Sequence, residues 1–201
     1  MRYLLVLCAL TAVAHGDPLP LGDCTKELAA RKVSFRPTAR AGIAHAVAIT
    51  GPLGGVTYGG DGPLVIDCSL AVSLDEIGHY LRAFGIAKAS VSSAYARRTV
   101  RDTSVPSKHS YGLAIDVPAL GAFSVARDYQ MGLGDEVDCI GHPSTRAAAI
   151  LKTLQCQLVR SGLFHLVLSP DYDGDHHDHF HLEVLPWRER TELRSPTPAI
   201  H

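Results

Sequence analysis

Two segments of the sequence alternate between apolar and polar residues. Residues 107–117 read Ser-Lys-His-Ser-Tyr-Gly-Leu-Ala-Ile-Asp-Val, and residues 176–184 read His-His-Asp-His-Phe-His-Leu-Glu-Val. Successive side chains of a β-strand point to opposite faces, so this alternation predicts strands with one face on the core. In the first segment the apolar side chains take the core face and leave Asp116 on the other. In the second segment the same pattern leaves His179 and His181 on the face away from the core.

A metal site follows if these two strands are neighbours in one sheet. One sheet face then carries a carboxylate and two imidazoles, and His109 closes over them from the preceding turn. These ligand types suit a borderline divalent ion such as zinc. Three protein ligands leave a fourth position open, which is typical of catalytic zinc. A single strand histidine usually has an ordinary surface or core role, and a His-rich tract can bind metal loosely. Here all the donors share the face away from the core, which favours a zinc site.

The composition is that of one globular domain. The chain has 201 residues, of which 46% are hydrophobic and 19% charged, and this length suits a single domain with its own core. Its 19 Lys and Arg against 20 Asp and Glu argue against nucleic acid or an anionic membrane surface as a partner. We therefore expect no nucleic-acid partner and, once the apolar leader described below is cleaved, no membrane partner. We also expect a monomer.

Hydrophobic spacing predicts a mixed architecture. Helical periodicity predicts helices at residues 25–32, 70–84 and 144–161, and short apolar runs predict further strands at residues 46–50, 55–58, 64–66, 89–93 and 164–168. Ser73 and Glu76 have the spacing of a capping box at the start of the second helix. The acidic run at residues 171–175 lacks the later glutamate of an EF-hand calcium loop and is expected to be a turn. Because the elements mix without regular βαβ alternation, we predict an α+β fold with a central antiparallel sheet and flanking helices.

The first residues have the features of a secretory signal. Arg2 precedes an almost unbroken apolar run over residues 3–13, and small residues follow at a cleavage site. The run is too short for a transmembrane helix, and an uncleaved anchor or a lipoprotein signal ending at Cys8 are the alternatives. We predict a secreted or periplasmic protein with a signal peptide at residues 1–16 cleaved after Gly16, a lead-in at 17–23, a single domain at 24–190 and a tail at 191–201.

Export changes the interpretation of the cysteines. Beyond the signal the chain contains Cys24, Cys68, Cys139 and Cys156, an even number in an oxidising compartment. Four cysteines allow three connectivities, and we expect the pairing that is local in sequence, Cys24 with Cys68 and Cys139 with Cys156. A thiolate metal site is the weaker alternative, because the sequence has no C-x-x-C spacing.

The two alternating segments together resemble a known superfamily. The motif consists of Ser107-x-His109-x-x-Gly112-x-Ala114-x-Asp116 followed by His179-x-His181. It is similar to the zinc D-alanyl-D-alanine peptidases and murein endopeptidases, to which the hedgehog signalling domain is related. A longer run of residues consists of Cys68, Tyr95, Ser107–Asp116, Cys156, Val167-Leu168-Ser169-Pro170 and His176-x-x-His179-Phe180-His181. Within that superfamily, this run resembles the extensin-like C-terminal domain family of exported bacterial proteins, and the resemblance covers roughly Cys24 to Glu183. The resemblance implies a hedgehog/D,D-peptidase-like fold with a zinc site on one sheet face.

Site residues carry over from this resemblance at the positions that match. It implies that His109, Asp116 and His181 bind zinc. It also implies that His179, or else His176, handles protons or holds the attacking water.

The residues around this motif have expected roles in substrate binding and support. Tyr95, Arg97 and Arg98 fall where related peptidases carry a Tyr-Arg pair, and an arginine there would hold an oxyanion or a substrate carboxylate. Solvated surface arginines are the alternative, and the cysteine that usually neighbours this arginine is absent. Gly112 is expected to permit a tight approach between His109 and the strand. Ser107 is expected to orient a ligand, although both residues also suit an ordinary turn.

We therefore expect an exported zinc metallopeptidase that hydrolyses amide bonds of peptidoglycan peptides or another cell-wall substrate. Many D,D-peptidases use a glutamate shortly before the last zinc ligand, but here no glutamate lies between Glu136 and Glu183. The base is then a histidine or an aspartate. The missing glutamate also leaves open a non-catalytic, zinc-stabilised binding module of the cell envelope.

Overall fold

The structure is a computed structural model, and it describes residues 21–60, 62–133, 139, 141–187 and 189, with side chains from residue 24 onward. The predicted signal peptide, residues 17–20 of the predicted lead-in and the predicted tail lie outside the described residues. Within this described part, no helix is both long and apolar enough to cross a membrane.

Four α-helices, two short 3-10 helices and ten short strands make up the described chain. The α-helices are α1 (Leu21–Ala30), α2 (Cys68–Ala83), α3 (Val125–Asp128) and α4 (Arg146–Arg160), and the 3-10 helices span Lys108–Tyr111 and Gly174–His176. The strands are β1 (Phe35–Pro37), β2 (Ala46–Ile49), β3 (Thr57–Tyr58), β4 (Leu64–Asp67), β5 (Lys88–Ser90), β6 (Ala114–Val117), β7 (Ala119–Leu120), β8 (Phe123–Ser124), β9 (Leu166–Leu168) and β10 (Phe180–Glu183). The predicted helices and strands are thus present, with ends displaced by a few residues.

The strands form three small sheets, with orders β1-β2-β4, β3-β5-β7-β8 and β6-β10-β9. The predicted mixed α+β architecture is confirmed, but the prediction of one central antiparallel sheet is wrong. All described pairs are antiparallel except β3 with β5, which run parallel. Pro118 separates β6 from β7, and a proline has no N–H to donate to a strand ladder. The chain therefore leaves one sheet at this residue and enters the next.

Helix α2 begins at the end of β4, earlier than predicted. Asp67 is its N-cap, and its Oδ1 accepts hydrogen bonds from the Ser69 amide at 2.9 Å and the Ser69 hydroxyl at 2.6 Å. The predicted capping box at Ser73 and Glu76 is wrong, because Ser73 lies inside the helix and donates its hydroxyl to the Leu163 carbonyl at 3.0 Å. Asp67, buried at the last position of β4, thus satisfies one of the first amide groups of the helix.

The strand pair β6 and β10 has the predicted two-faced character. The two strands are antiparallel, with Asp116 opposite His181. Ile115 and Phe180 are fully buried in the hydrophobic core, which also receives the apolar face of α4. Because side chains alternate along each strand, the opposite face of the same pair carries the charged residues. The core thus holds the two polar residues in register.

Both predicted disulfides are present. Cys24 in α1 is bonded to Cys68 at the start of α2, with Cα atoms 6.1 Å apart. Cys139 is bonded to Cys156 in α4, with Cα atoms 5.5 Å apart. Disulfides persist in oxidising environments, so the two bonds indicate an extracellular or otherwise oxidising compartment.

Replacing the first disulfide is expected to destabilise the fold substantially. Cys24 and Cys68 are separated by 44 residues and are both buried. Closing a loop of this length is worth roughly 4 kcal/mol in the chain-entropy model. The variant Cys24→Ala/Cys68→Ala should lose about that free energy of unfolding in urea titrations, and Cys139→Ala/Cys156→Ala about 3 kcal/mol because its loop is shorter. Equal stability of the first variant and the unmodified protein would contradict this prediction.

Candidate metal centre

Three separate elements bring the polar residues of the candidate site together. His109 lies on the 3-10 helix Lys108–Tyr111, Asp116 on β6 and His181 on β10. The 3-10 helix is held at its start by Ser107, whose hydroxyl accepts from the His109 amide at 3.4 Å. It is terminated by Gly112, which has φ +63°. The helix thus places His109 directly before the strand that carries Asp116.

Gly112 cannot be replaced without strain. Its left-handed conformation favours glycine, and an added Cβ would lie 2.9 Å from the Asp67 amide nitrogen and 2.7 Å from Cδ1 of Ile43. The close approach at Gly112 is made to Ile43 and to the end of β4, whereas the expected one was between His109 and the strand. The Ser107 hydroxyl accepts from the backbone amide of His109. Ser107 therefore orients His109 by holding the 3-10 helix.

The donor atoms of His109, Asp116 and His181 converge on one point. His109 Nε2 lies 3.1 Å from Asp116 Oδ1 and 3.3 Å from His181 Nδ1, and His181 Nδ1 lies 2.8 Å from Asp116 Oδ1. All three residues are buried, and together they form a group that could hold a metal ion. Tetrahedral zinc with bonds of 2.0–2.1 Å separates its ligand atoms by about 3.3 Å. The separations of 3.1 and 3.3 Å lie close to this value, and the separation of 2.8 Å between His181 Nδ1 and Asp116 Oδ1 is shorter.

The electrostatics of the group centre on Asp116. Burial alone would raise the pKa of its carboxyl, but hydrogen bonds from His109, His179 and His181 outweigh burial and hold the pKa well below its usual range. The carboxylate therefore stays ionised near neutral pH, as a metal ligand must. A divalent cation bound here would neutralise the buried negative charge of Asp116 and accept the lone pairs of the neighbouring imidazoles.

His179 lies beside the group and has its own carboxylate partner. Its Nε2 is 3.4 Å from Asp116 Oδ1, and its Nδ1 is 2.7 Å from Asp178 Oδ1. The hydrogen bond to Asp116 raises the pKa of His179, burial opposes this, and the hydrogen bond to Asp178 raises it further. The contact with Asp178 places the Nδ1 proton between these two residues. Nε2 is left facing the metal group.

His176 is next to His179 but is bound to a different carboxylate. Its Nδ1 lies 2.6 Å from Asp173 Oδ1, and its ring centroid is 5.3 Å from that of His179 and 5.7 Å from that of His181. The exposed ring of Tyr172 packs on its edge at 5.7 Å. His176 is therefore the outer of the two candidate proton carriers, one imidazole farther from Asp116.

Three supporting residues were missed by the sequence analysis. Ser93 Oγ lies 3.4 Å from His109 Nδ1, Glu183 Oε2 lies 3.6 Å from His181 Nε2, and Asp178 contacts His179 as described. Residues that touch the far nitrogen of a ligating histidine fix its tautomer and ring orientation. Asp178 and Glu183 adjoin the histidine motif, so a search for flanking carboxylates would have found them. Ser93 is remote in sequence and gives no such signal.

Of the predicted substrate-binding residues, the structure brings Arg98 to the rim of the site. Arg98 Nη2 is 3.9 Å from Asp116 Oδ2, and the Arg98 side chain is 55% exposed. Arg97 and Arg98 both line an open cavity of about 480 Å³ beside the 3-10 helix. The Tyr95 hydroxyl donates to the Ala41 carbonyl at 2.7 Å, and Arg40 stacks on its ring. The structure thus brings Arg98 to the metal group and leaves Tyr95 holding a neighbouring loop.

Metal affinity is expected to rise with pH between about pH 6 and 8. Burial opposes protonation of His181, but Asp116 and Glu183 raise its pKa, and the pKa of His179 is also raised. In the metal-free protein these protonated imidazoles stabilise the fold below their unfolded pKa, and that contribution is lost as the pH rises through the higher folded pKa. A metal ion must displace the proton from a ligating histidine.

The difference in melting temperature between zinc-loaded and chelator-treated protein should therefore grow with pH. Calorimetric titration of zinc in two buffers of different ionisation enthalpy should also show proton release on binding. Asp116 contributes nothing to this slope because it remains ionised throughout the range. A zinc affinity that is constant from pH 6 to 8 would show that no ligand titrates there.

Comparison with known proteins identifies a family. Searches of curated proteins and of solved structures return no match to this chain. The family model described as Extensin-like protein C-terminus matches residues 23–193, a range that contains both disulfides and the whole metal group. The chain belongs to the extensin-like protein C-terminus family.

Proposed function

We propose that this chain is an exported zinc metallopeptidase that hydrolyses amide bonds in peptidoglycan peptides. The proposal includes a fold related to the D,D-peptidase and hedgehog superfamily. The observation that carries it is the convergence of His109, Asp116 and His181 in a buried group, with a further imidazole at its edge. A structural zinc site is usually closed by four protein ligands. Three ligands beside a histidine–aspartate pair support a catalytic site.

Hydrolysis of an amide requires a base for the attacking water and an acid for the leaving nitrogen. His179 serves both needs in turn at Nε2, because Asp178 holds the proton on Nδ1 and stabilises the charged ring. His176 lies beside His179, with ring centroids 5.3 Å apart, and is the alternative proton carrier. His109, Asp116 and His181 would hold a zinc ion, and that ion would supply Lewis-acid polarisation of the scissile carbonyl.

Positive charge on the rim supports binding of an anionic group. Arg98 approaches Oδ2 of Asp116. Arg97 and Arg98 line the same open cavity beside the 3-10 helix. A guanidinium can hold a carboxylate through two parallel hydrogen bonds. In this proposal the two arginines hold the carboxylate of the stem peptide or the oxyanion that develops during hydrolysis.

The test is incubation of the zinc-loaded protein with purified peptidoglycan. The expected result is a time-dependent increase in free amine termini that is abolished by a chelator and restored by zinc. If no amines are released with zinc or any other divalent metal while the protein still sediments with the sacculi, the enzyme proposal fails. The non-catalytic envelope-binding module then takes its place.

A further inference from the structure

The loop between β9 and β10 carries both candidate proton carriers. It spans residues 169–179 and contains His176 and His179, each bonded through Nδ1 to a carboxylate of the same loop. A loop is more mobile than the strands and helices that it connects. A proton carrier must nevertheless stay within hydrogen-bond reach of the atom that it protonates. This loop therefore needs contacts from other parts of the chain to hold its position.

Tyr129, which follows α3, contacts the first part of this loop. Its hydroxyl lies 2.8 Å from Asp171 Oδ2 and 3.3 Å from Ser169 Oγ. It also lies 2.8 Å from Oε1 of Gln155 on α4. Gln155 and Ser169 are fully buried, and the amide nitrogen of Gln155 donates to Ser169 Oγ at 3.2 Å. The phenol thus joins the loop to helix α4 through a buried polar cluster.

The carboxylate of Asp171 is bonded to the Tyr129 segment through both of its oxygens. Oδ2 faces the Tyr129 hydroxyl, and Oδ1 accepts from the Gly132 amide at 2.7 Å. A phenol has one proton to donate, and a carboxylate is a stronger acceptor than the neutral amide of Gln155. The phenol proton therefore belongs to the bond with Asp171, and this bond is charge-assisted.

The ring of Tyr129 contacts the other end of the loop. It packs edge-on against Phe180, with ring centroids 5.8 Å apart and ring planes at 79°. Phe180 is the first residue of β10, is fully buried and lies between His179 and His181 in the sequence. One side chain therefore contacts both ends of the loop, with its hydroxyl at Asp171 and its ring at Phe180.

We propose that Tyr129 is a positioning residue of the candidate metal centre. Its contacts with Asp171 and Phe180 fix the two ends of the loop and thereby keep Nε2 of His179 at the metal group. A residue of this kind changes a rate by placing another group and leaves the metal ligands where they are. The expected effect on rate rests on the proposed function, whereas the expected effect on the loop rests on the contacts alone.

The test is the variant Tyr129→Phe, which removes the hydroxyl and keeps the ring against Phe180. Its first readout is amide hydrogen exchange in the metal-free full chain, which requires no catalytic activity. The amides of Asp175 and His176 are bonded to Asp173 Oδ1 at 2.9 and 3.1 Å. Relative to the amides of the buried strand β2, their exchange should accelerate about tenfold or more, because exchange in a buried strand reports global unfolding.

The second readout is kinetic and uses soluble peptidoglycan peptides with the zinc-loaded variant. A displacement of about 1 Å can cost roughly 100-fold in rate, so kcat for amine release should fall about 10–100-fold. KM and the zinc Kd should stay within about twofold, because the metal ligands and the rim arginines keep their places. A general loss of stability would not produce this division between kcat and KM at a temperature at which the variant is folded.

Two further variants supply the bonded partner and a control. Asp171→Asn removes the charge from the same hydrogen bond. Adding it to Tyr129→Phe should cause little further loss of kcat, because both changes break one interaction. Tyr80→Phe is the matched control, since Tyr80 is a half-buried tyrosine on α2 whose ring packs against Phe84. Both readouts should be unchanged in this control.

The positioning role and the peptidase function can fail separately. Equal acceleration of exchange in the loop and in β2, or no acceleration at all, would overturn the positioning role. Full kcat in Tyr129→Phe would also overturn it and would retain the peptidase. If exchange accelerates in the loop but the unmodified protein releases no amines with any divalent metal, the peptidase function fails and the positioning of the loop is retained.

Discussion

Replacing Asp116 by asparagine is expected to abolish zinc binding at the candidate site. Asp116 Oδ1 is the one atom that His109, His179 and His181 share, at 3.1, 3.4 and 2.8 Å. Asparagine keeps the size of the side chain but removes the negative charge that attracts a divalent ion. Loss of a residue that only supports a ligand weakens metal affinity 10–100-fold, so loss of a ligand should raise the zinc Kd more than about 100-fold.

The Asp116→Asn variant has a second expected effect that needs no metal. Because Asp116 raises the pKa of both His179 and His181, NMR titration of the metal-free variant should show both pKa values lowered. Asp102→Asn is the matched control, since Asp102 is an exposed aspartate in a turn. Full zinc affinity in Asp116→Asn would contradict the assignment of this residue as a ligand.

The site was predictable because it depends on strand periodicity. Alternation in the two motif segments places core residues such as Ile115 and Phe180 on one face, and a one-residue slip would reverse both faces. The register that sets Asp116 opposite His181 is therefore fixed by burial of their neighbours. The sequence contained that information within two short segments.

The division into three sheets and the support from Ser93 were not predictable in this way. Pairing between strands that are remote in sequence depends on where the chain turns. A proline such as Pro118 interrupts a strand, but the sequence does not show that β6 and β7, on its two sides, join different sheets. Ser93 reaches His109 through an isolated bridge between Ser93 and Asp116. The misplaced start of α2 has a local cause, because the aspartate cap at the end of β4 lies before the periodic apolar pattern that was used to locate the helix.

On the proposed peptidase function, replacing His179 by alanine should separate catalysis from metal binding. His179 Nε2 faces Asp116, but the three ligand positions are already supplied by His109, Asp116 and His181. A general acid–base group contributes about 10²–10⁴-fold to rate. We therefore expect amine release from peptidoglycan by the zinc-loaded His179→Ala variant to fall by roughly this factor, while the zinc Kd changes less than tenfold.

Two further variants test the role of His179 against that of its neighbours. Asp178→Asn should reduce the rate less than His179→Ala and shift the acidic limb of the pH–rate profile to lower pH, because the charge of Asp178 helps to raise the pKa of His179. His165→Ala is the matched control, since this histidine is exposed and has no side-chain contact with the metal group or with Asp178 in the described part of the chain. If His179→Ala weakens zinc binding 100-fold or more, His179 is a ligand. If only His176→Ala removes activity, His176 is the proton carrier. Its hydrogen bond to Asp173 would then have the role that the bond to Asp178 has for His179.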